Sequence, residues 1–285
     1  MKNEPWIWQR GEIVPAREAT VSVLDHGFLY GDSIYETVRT FGGRLFDLEA
    51  HLDRLERSAA ALGLTLPLPR AELTARIEET AAVAAPAEAG VRVMISRGAG
   101  PLGIDPEPCQ EPELLIYAWR LSSGPHPQRD TGVRLAVATV RRNPPEALDP
   151  AIKSGNFLNN IQALREARGR DFDDAILLTI DGHVAEGTTW NLFWRRGETL
   201  HTGVDDGILQ GVTRRWVFEA AERLGIPLER GSFPPEDLFA AEEAFITSSV
   251  RGILPVRTIE DHDLPAPGAT TARLLTEYER FTEGE

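Results

Sequence analysis

The chain has 285 residues, 30 basic and 44 acidic, with a formal charge of −14 and 42% hydrophobic content. That is enough apolar residue for one large domain or two ordinary ones. The acidic balance argues against a nucleic-acid partner, whose affinity would rest on clustered Lys and Arg. No run of about 18 apolar residues occurs, and "MKNEPWIWQRGEIV" lacks the apolar stretch of a signal peptide. Neither a membrane span nor secretion is expected, and the cytoplasm is the default compartment.

In chain order, "WIWQRGEIVP" and "ETVRTFGGRLFD" predict hairpins, the second turning at Gly42-Gly43. In "LEAHLDRLERSAAALGL", Leu48, Leu52, Leu55, Ala59 and Leu62 recur at helical spacing and Gly63 supplies a stop. A helical wheel puts Arg54 opposite that stripe, so periodicity alone sends it to solvent. A second helix, "RAELTARIEETAAVAA", precedes the strands "VRVMISRG" and "ELLIYAWRL". Strands and helices come in blocks, which is α+β order. Cys109 lies in the loop "DPEPCQEPE" with no second Cys to pair with, and the six histidines show no spacing that places two ligands on one face, so no metal site is expected. "SSGPHPQRDTG", residues 122–132, reads as a linker between an N-terminal α+β domain, 1–121, and a C-terminal one, 133–285. The second half continues with the strand "VRLAVATV", a segment around Lys153, the strands "DAILLTI" and "NLFWRR", the helix "VTRRWVFEAAERLG" and the strand "EAFITSSV".

Four stretches offer chemistry. Lys153 follows "NPPEALDPAI", which cannot be regular helix, and precedes "NFLNNIQALREA", which can. A Lys near a helix N-terminus is electrostatically disfavoured, and the segment supplies no acidic partner, so Lys153 is either solvated charge or a working amine facing a cleft. In "DGHVAEGTTWNLFW", Asp181-Gly182 is a hairpin turn, and the strand begun at Val184 breaks at Glu186-Gly187 before resuming at Asn191. That fits an acid presented beside exposed backbone N–H groups, or an ordinary acidic bulge. In "LQGVTRR", Gly211 leads into a helix beginning near Thr213, which makes an anion site or simply a Thr N-cap. "FITSSVRGILPV" adds two hydroxyls at a strand end.

In this order and spacing, these motifs resemble the class IV aminotransferases. These are the fold type IV pyridoxal-phosphate enzymes that include branched-chain aminotransferases, D-amino-acid aminotransferases and aminodeoxychorismate lyase. The likeness runs from "LDHGFLYGDSIYETVRTFGGRLFDLEAHLDRL" through "IKSGNFLNN", "AEGTTWNLFW" and "LQGVTRR" to "FITSSVRGILPV". It implies a two-domain α+β fold with the active site in the interdomain cleft and pyridoxal 5′-phosphate as cofactor. Lys153 would be the Schiff-base lysine, carried by the C-terminal domain, a base at the substrate Cα and an acid at the cofactor's C4′ carbon. Glu186 would pair with the pyridine nitrogen. Arg54, Val212, Thr213 and Ser249 would form the phosphate cup, and Leu209 would pack on the ring.

Two departures bear on substrate. Phe157 stands where many branched-chain enzymes carry a Tyr. "SRGAGPLGID" offers Leu102 and Ile104 where the bacterial D-amino-acid enzymes carry a basic carboxylate trap. The resemblance therefore implies the branched-chain group, with Tyr30 and Arg92 on the substrate carboxylate and the Leu102–Ile104 loop reaching over a side-chain pocket from a partner subunit. The expected activity is amino transfer between a branched-chain L-amino acid and 2-oxoglutarate by a homodimer or higher homo-oligomer. D-amino-acid or (R)-amine transamination and lyase-type β-elimination are the alternatives.

Overall fold

The structure, a computed structural model, describes residues 4–85, 88–122 and 124–283. Its contacts divide the chain into two units, Met1–Ser123 with Ile152–Asn156, and Gly124–Ala151 with Phe157–Glu285. The linker predicted at 122–132 includes Ser123, which lies outside the described residues. Residues 152–156 return to the first unit and take Lys153 with them, whereas composition along the chain puts that residue in the C-terminal half.

In the first unit, β1 (Trp6–Gln9) and β2 (Glu12–Pro15) form a hairpin, followed by the short α1 (His26–Tyr30), β3 (Ser33–Phe41) and β4 (Arg44–Leu45). The β3–β4 turn falls at Gly42-Gly43, as predicted. Two helices follow, α2 (Leu48–Ala61) and α3 (Arg70–Ala84), and then β5 (Ala89–Ser96) and β6 (Glu113–Arg120). The antiparallel sheet has the order β2-β1-β6-β5-β3-β4. Leu52, Leu55, Leu73 and Ile77 of the helices bury against Ile34, Val38, Val91, Val93, Ile95 and Ile116 of the sheet, each large apolar side chain stabilising by about 1.5–3 kcal/mol.

Strand alternation then decides where the polar residues of β3 go. Glu36 falls in one row with the buried Ile34 and Val38, facing the helices. Tyr35 and Thr37 fall on the other face, where Thr37 is the register partner of Arg92 on β5.

A carboxylate inside an apolar row needs partners, and α2 supplies them. Arg54 donates from Nε to Glu36 Oε1 at 2.6 Å and from Nη2 to Oε2 at 2.8 Å, and the His51 ring is 2.7 Å from Oε2. Arg54 is only 5% exposed, so the solvent-facing position given by periodicity is wrong. Burial alone would push the Glu36 carboxyl up, but Arg54 and then His51 outweigh it and hold it far below the ordinary carboxylate range. Burial pushes the His51 imidazole down from 6.5 despite Glu36, so at neutral pH the ring is an uncharged donor.

This cluster makes stability pH-dependent with a definite sign. The unfolded chain takes up protons at His51 below about 6.5 and at Glu36 below about 4.5, where the folded chain does not. Stability therefore falls as pH drops through these ranges. Glu36→Gln, which removes the buried carboxylate that Arg54 and His51 both engage, is expected to cost about 3–5 kcal/mol in denaturant melts. A variant within about 0.5 kcal/mol of wild type, or wild-type stability flat from neutral pH down to 4, would show that the cluster does not carry this weight.

The second unit runs β7 (Val133–Arg141), α4 (Pro145–Leu148), α5 (Leu158–Gly169), β8 (Asp174–Leu178), β9 (Val184–Gly187), β10 (Asn191–Arg196) and β11 (Thr199–Gly203). It continues with α6 (Val212–Arg223), β12 (Leu228–Gly231), α7 (Glu236–Phe239), β13 (Glu243–Ser248), β14 (Gly252–Ile259), β15 (His262–Asp263) and α8 (Ala269–Glu283). The Pro-rich stretch before Lys153 is thus not wholly irregular: α4 forms one turn, with Pro145 in the first turn, where a missing N–H costs nothing. The sheet order is β12-β11-β10-β13-β14-β7-β8-β9, with β15 on β14. Parallel pairs occur at β11–β12, β14–β7 and β7–β8. The last is a crossover through α5, whose Ala163 and Ala167 pack on Ala136, Ala138, Ala175 and Leu177. Among the described residues no helix is long and apolar enough to cross a membrane, and no group of three or more His, Cys, Asp or Glu is arranged to hold a metal ion.

Candidate active site

Residues 152–156 lie along the edge of β3. The Tyr35 N–H donates to the Lys153 carbonyl at 2.9 Å, Gly155 N–H to the Ser33 carbonyl at 2.8 Å, and Lys153 N–H to Ser58 Oγ of α2 at 3.2 Å. Gly155 permits the approach, since a Cβ there would lie 2.2 Å from Ser33 Oγ. The Lys153 backbone is therefore fixed at both its N–H and its C=O, and Nζ reaches the Tyr35 hydroxyl at 3.1 Å. Arg92 reaches the same ring, its guanidinium carbon 4.8 Å from the centroid, and donates to Thr37 Oγ1 at 3.3 Å. Lys153 and Arg92, both named from sequence, thus meet through Tyr35, which was not.

Tyr30 and the Leu102–Ile104 loop also come together. The Gly103 N–H donates to the Tyr30 hydroxyl at 2.9 Å, and a His26 ring nitrogen is 3.0 Å from the Pro101 carbonyl oxygen. Leu102 and Ile104 are 76% and 87% exposed in this chain. Cys109 is half-buried beside Gly100, and burial pushes its thiol up, away from a reactive thiolate.

The second unit holds Glu186, Leu209, Val212, Thr213, Ser249 and Phe157. Glu186 lies inside β9 and is buried, not presented on an open loop as its Gly and Thr neighbours suggest. Arg142 Nε donates to its Oε1 at 2.8 Å, while Leu209 N–H at 3.0 Å and Asn191 Nδ2 at 3.3 Å donate to its Oε2. Two amides of α5 brace this arrangement. Asn159 Oδ1 accepts from Arg142 Nη1 at 3.2 Å, and Asn160 Nδ2 donates to the Thr188 carbonyl at 2.7 Å.

Helix α6 starts at Val212 with Gly211 as its N-cap, so Thr213 is not the cap. Its hydroxyl is instead buried with no hydrogen-bond partner, and so is that of Thr247 on β13. The first N–H groups of a helix also lack intrahelical partners and carry its positive end. Buried N–H groups beside an unpaired hydroxyl suit an anion with several acceptor oxygens, such as a phosphate monoester.

Asn191 ties this seat to Glu186. Besides its bond to Glu186, its Nδ2 donates to the Leu209 carbonyl at 2.8 Å, and Thr247 is its cross-strand partner. Its Oδ1 lies against Gly211, where a Cβ would come within 2.2 Å. Ser249 sits in the turn between β13 and β14, and Phe157, at the start of α5, brings no hydroxyl. Arg142, Asn159, Asn160 and Asn191 escaped the sequence reading. The only signal for them was the run of amides in "NFLNN" and the Asn that resumes the broken strand.

Residues 33–259 match the family model for amino-transferase class IV. The chain is 37% identical over 255 residues to a putative branched-chain-amino-acid aminotransferase of Methanocaldococcus jannaschii, covering 89% of this chain and 88% of that one. It is 34% identical over 278 residues to the aminodeoxychorismate lyase of Bacillus subtilis, covering 96% and 94%. Among solved structures, the T.th. branched-chain amino acid aminotransferase with pyridoxamine 5′-phosphate superposes with a TM-score of 0.93 at 29% identity, over 99% of this chain and 95% of that one.

Proposed function

The chain belongs to the class IV aminotransferases, and we propose that it transfers an amino group between an amino acid with an apolar, branched-chain L side chain and 2-oxoglutarate, with pyridoxal 5′-phosphate as its cofactor. The observation that carries the cofactor assignment is the seat around Asn191. It joins a buried carboxylate, Glu186, to a helix N-terminus with the unpaired Thr213 hydroxyl, and so fits a ligand with a basic ring nitrogen and a phosphate. When bound, the cofactor supplies a ring that accepts the electron pair left at the substrate Cα.

The remaining roles belong to this chain's own side chains. Lys153 Nζ tethers the cofactor and takes the proton from Cα. Glu186, itself held by Arg142, keeps a proton on the pyridine nitrogen. Val212, Thr213, Ser249 and Arg54 hold the phosphate, Leu209 packs on the ring and Phe157 lies beside it. Tyr30 and Arg92 hold the substrate carboxylate.

Leu102 and Ile104 support the substrate class and the assembly together. Two large apolar side chains so exposed on a Gly- and Pro-rich loop call for a covering surface. We assign that cover to a second subunit, whose side-chain pocket the loop roofs in return. Light scattering is expected to give at least a dimer. In a panel of L- and D-amino acids read by cofactor absorbance, aliphatic L-amino acids should beat acidic ones, glutamate as shared donor excepted. Ile104→Arg should depress branched-chain use far more than cofactor binding, because it buries a charge without a partner. A fully active monomer or an unchanged ranking would displace this reading. The likeness to a lyase favours a second one, which pyruvate release from 4-amino-4-deoxychorismate would establish in its place.

A further inference from the structure

We infer that Tyr35 is a further catalytic residue of this chain: its hydroxyl holds the Lys153 amine once that amine has taken a proton. The inference rests on the reading of Lys153 as the working base. Lys153 Nζ donates to the Tyr35 hydroxyl at 3.1 Å and lies 4.4 Å from the centroid of the same ring. One side chain thus offers the nitrogen both an acceptor oxygen and an electron-rich face, two contacts that stabilise an ammonium. The backbone makes the pairing a built one. Tyr35 N–H donates to the Lys153 carbonyl and Lys153 N–H to Ser58 Oγ, so both side chains spring from neighbouring, fixed positions.

The charges nearby leave this task to the phenol. Arg92 on β5 lies over the same ring and is a cation. Glu36 on β3, the acid next to Tyr35 in sequence, is turned to the other face and engaged by Arg54 and His51. Among the described residues no carboxylate forms an ion pair with Lys153. In the step itself the substrate Cα–H bond breaks, its electron pair stays with the substrate, and the proton forms a new N–H bond on Nζ. One ammonium N–H then donates to the Tyr35 oxygen, and the phenol keeps its own proton throughout.

Tyr35→Phe keeps the ring and removes only the oxygen. In the holoenzyme it is expected to lower kcat about 10- to 100-fold, the scale of one charge-assisted hydrogen bond made after proton transfer. KM and cofactor affinity should stay within about threefold, since uniform binding is untouched. The deuterium isotope effect with Cα-deuterated donor should rise as proton transfer becomes more rate-limiting, a change that a merely structural role would not produce. In the cofactor-free full chain, labelling of Lys153 by trinitrobenzenesulfonate at fixed pH should quicken severalfold, because the nitrogen is no longer held.

An unchanged labelling rate removes the contact, and changed labelling with an unchanged isotope effect removes the catalytic role; either overturns the inference. If Tyr35→Phe is fully active while Lys153→Ala is dead, the inference fails and the aminotransferase reading stands. If wild type transaminates nothing in the amino-acid panel, that reading fails, and this catalytic role is overturned with it.

Discussion

Lys153→Ala is expected to lower transamination below about 1% of wild type, since in the proposed roles it removes a general base worth about 10²–10⁴-fold together with the covalent tether. The fold should survive the change. The contacts that fix this segment are backbone ones, through the Lys153 N–H and C=O and the Gly155 N–H, and alanine can make them all. What disappears is the Nζ bond to Tyr35 and a side chain that is only half-buried. Melting should therefore stay close to wild type while activity vanishes. A second measurement isolates the tether: a visible absorbance band that borohydride removes by fixing the cofactor to the chain should require Lys153, and the mass shift should map to that residue. A few per cent of wild-type turnover in the pure variant would sink the assignment.

How far a sequence reveals such a site depends on whether the signal is local. Lys153 stood out because an unpartnered amine at a helix start is locally disfavoured. The elements around it followed from hydrophobic period and turn chemistry, as with α2, α3 and the Gly42-Gly43 turn. Arg54 shows where local reasoning stops. Its wheel position is polar, yet it is buried, because a carboxylate on β3 faces it. The clue lay in another element: the alternation of "SIYETVRTF" puts Glu36 in the row of Ile34 and Val38, and a buried acid implies a buried base. Thr213 failed in the opposite sense. Its spacing fits a cap, but the helix starts at Val212 with Gly211 as its N-cap, a position where Asn191 leaves no room for a side chain. The return of residues 152–156 to the edge of β3 has no local signal at all, being backbone pairing across more than a hundred residues.

For Glu186→Gln, the cofactor should still bind while the half-reaction slows on the order of 10²-fold or more, the scale of losing a positioned electrostatic group. Gln has nearly the same shape, and its amide oxygen can still accept from Leu209 N–H and Asn191 Nδ2, so the strand break and the loop into α6 keep their anchor. Binding then persists through Lys153 and the phosphate seat. The loss is charge: a neutral amide cannot hold a proton on a pyridine nitrogen as a carboxylate does, and the ring becomes a poorer acceptor for the electron pair at Cα. Arg142 makes the effect sharper. Its guanidinium, mostly buried and bonded to Glu186 Oε1, would be left facing a neutral group, and its positive charge would itself disfavour a proton on the nearby nitrogen. Stopped-flow absorbance of the half-reaction with an aliphatic amino acid, beside a titration of cofactor into the cofactor-free variant, separates the two quantities. The expected pattern is a rate lower by two orders of magnitude or more with affinity changed far less. Near-normal rates would mean that another acid serves the ring nitrogen, and a parallel collapse of affinity would mean that Glu186 builds the seat and leaves the ring's chemistry to other groups.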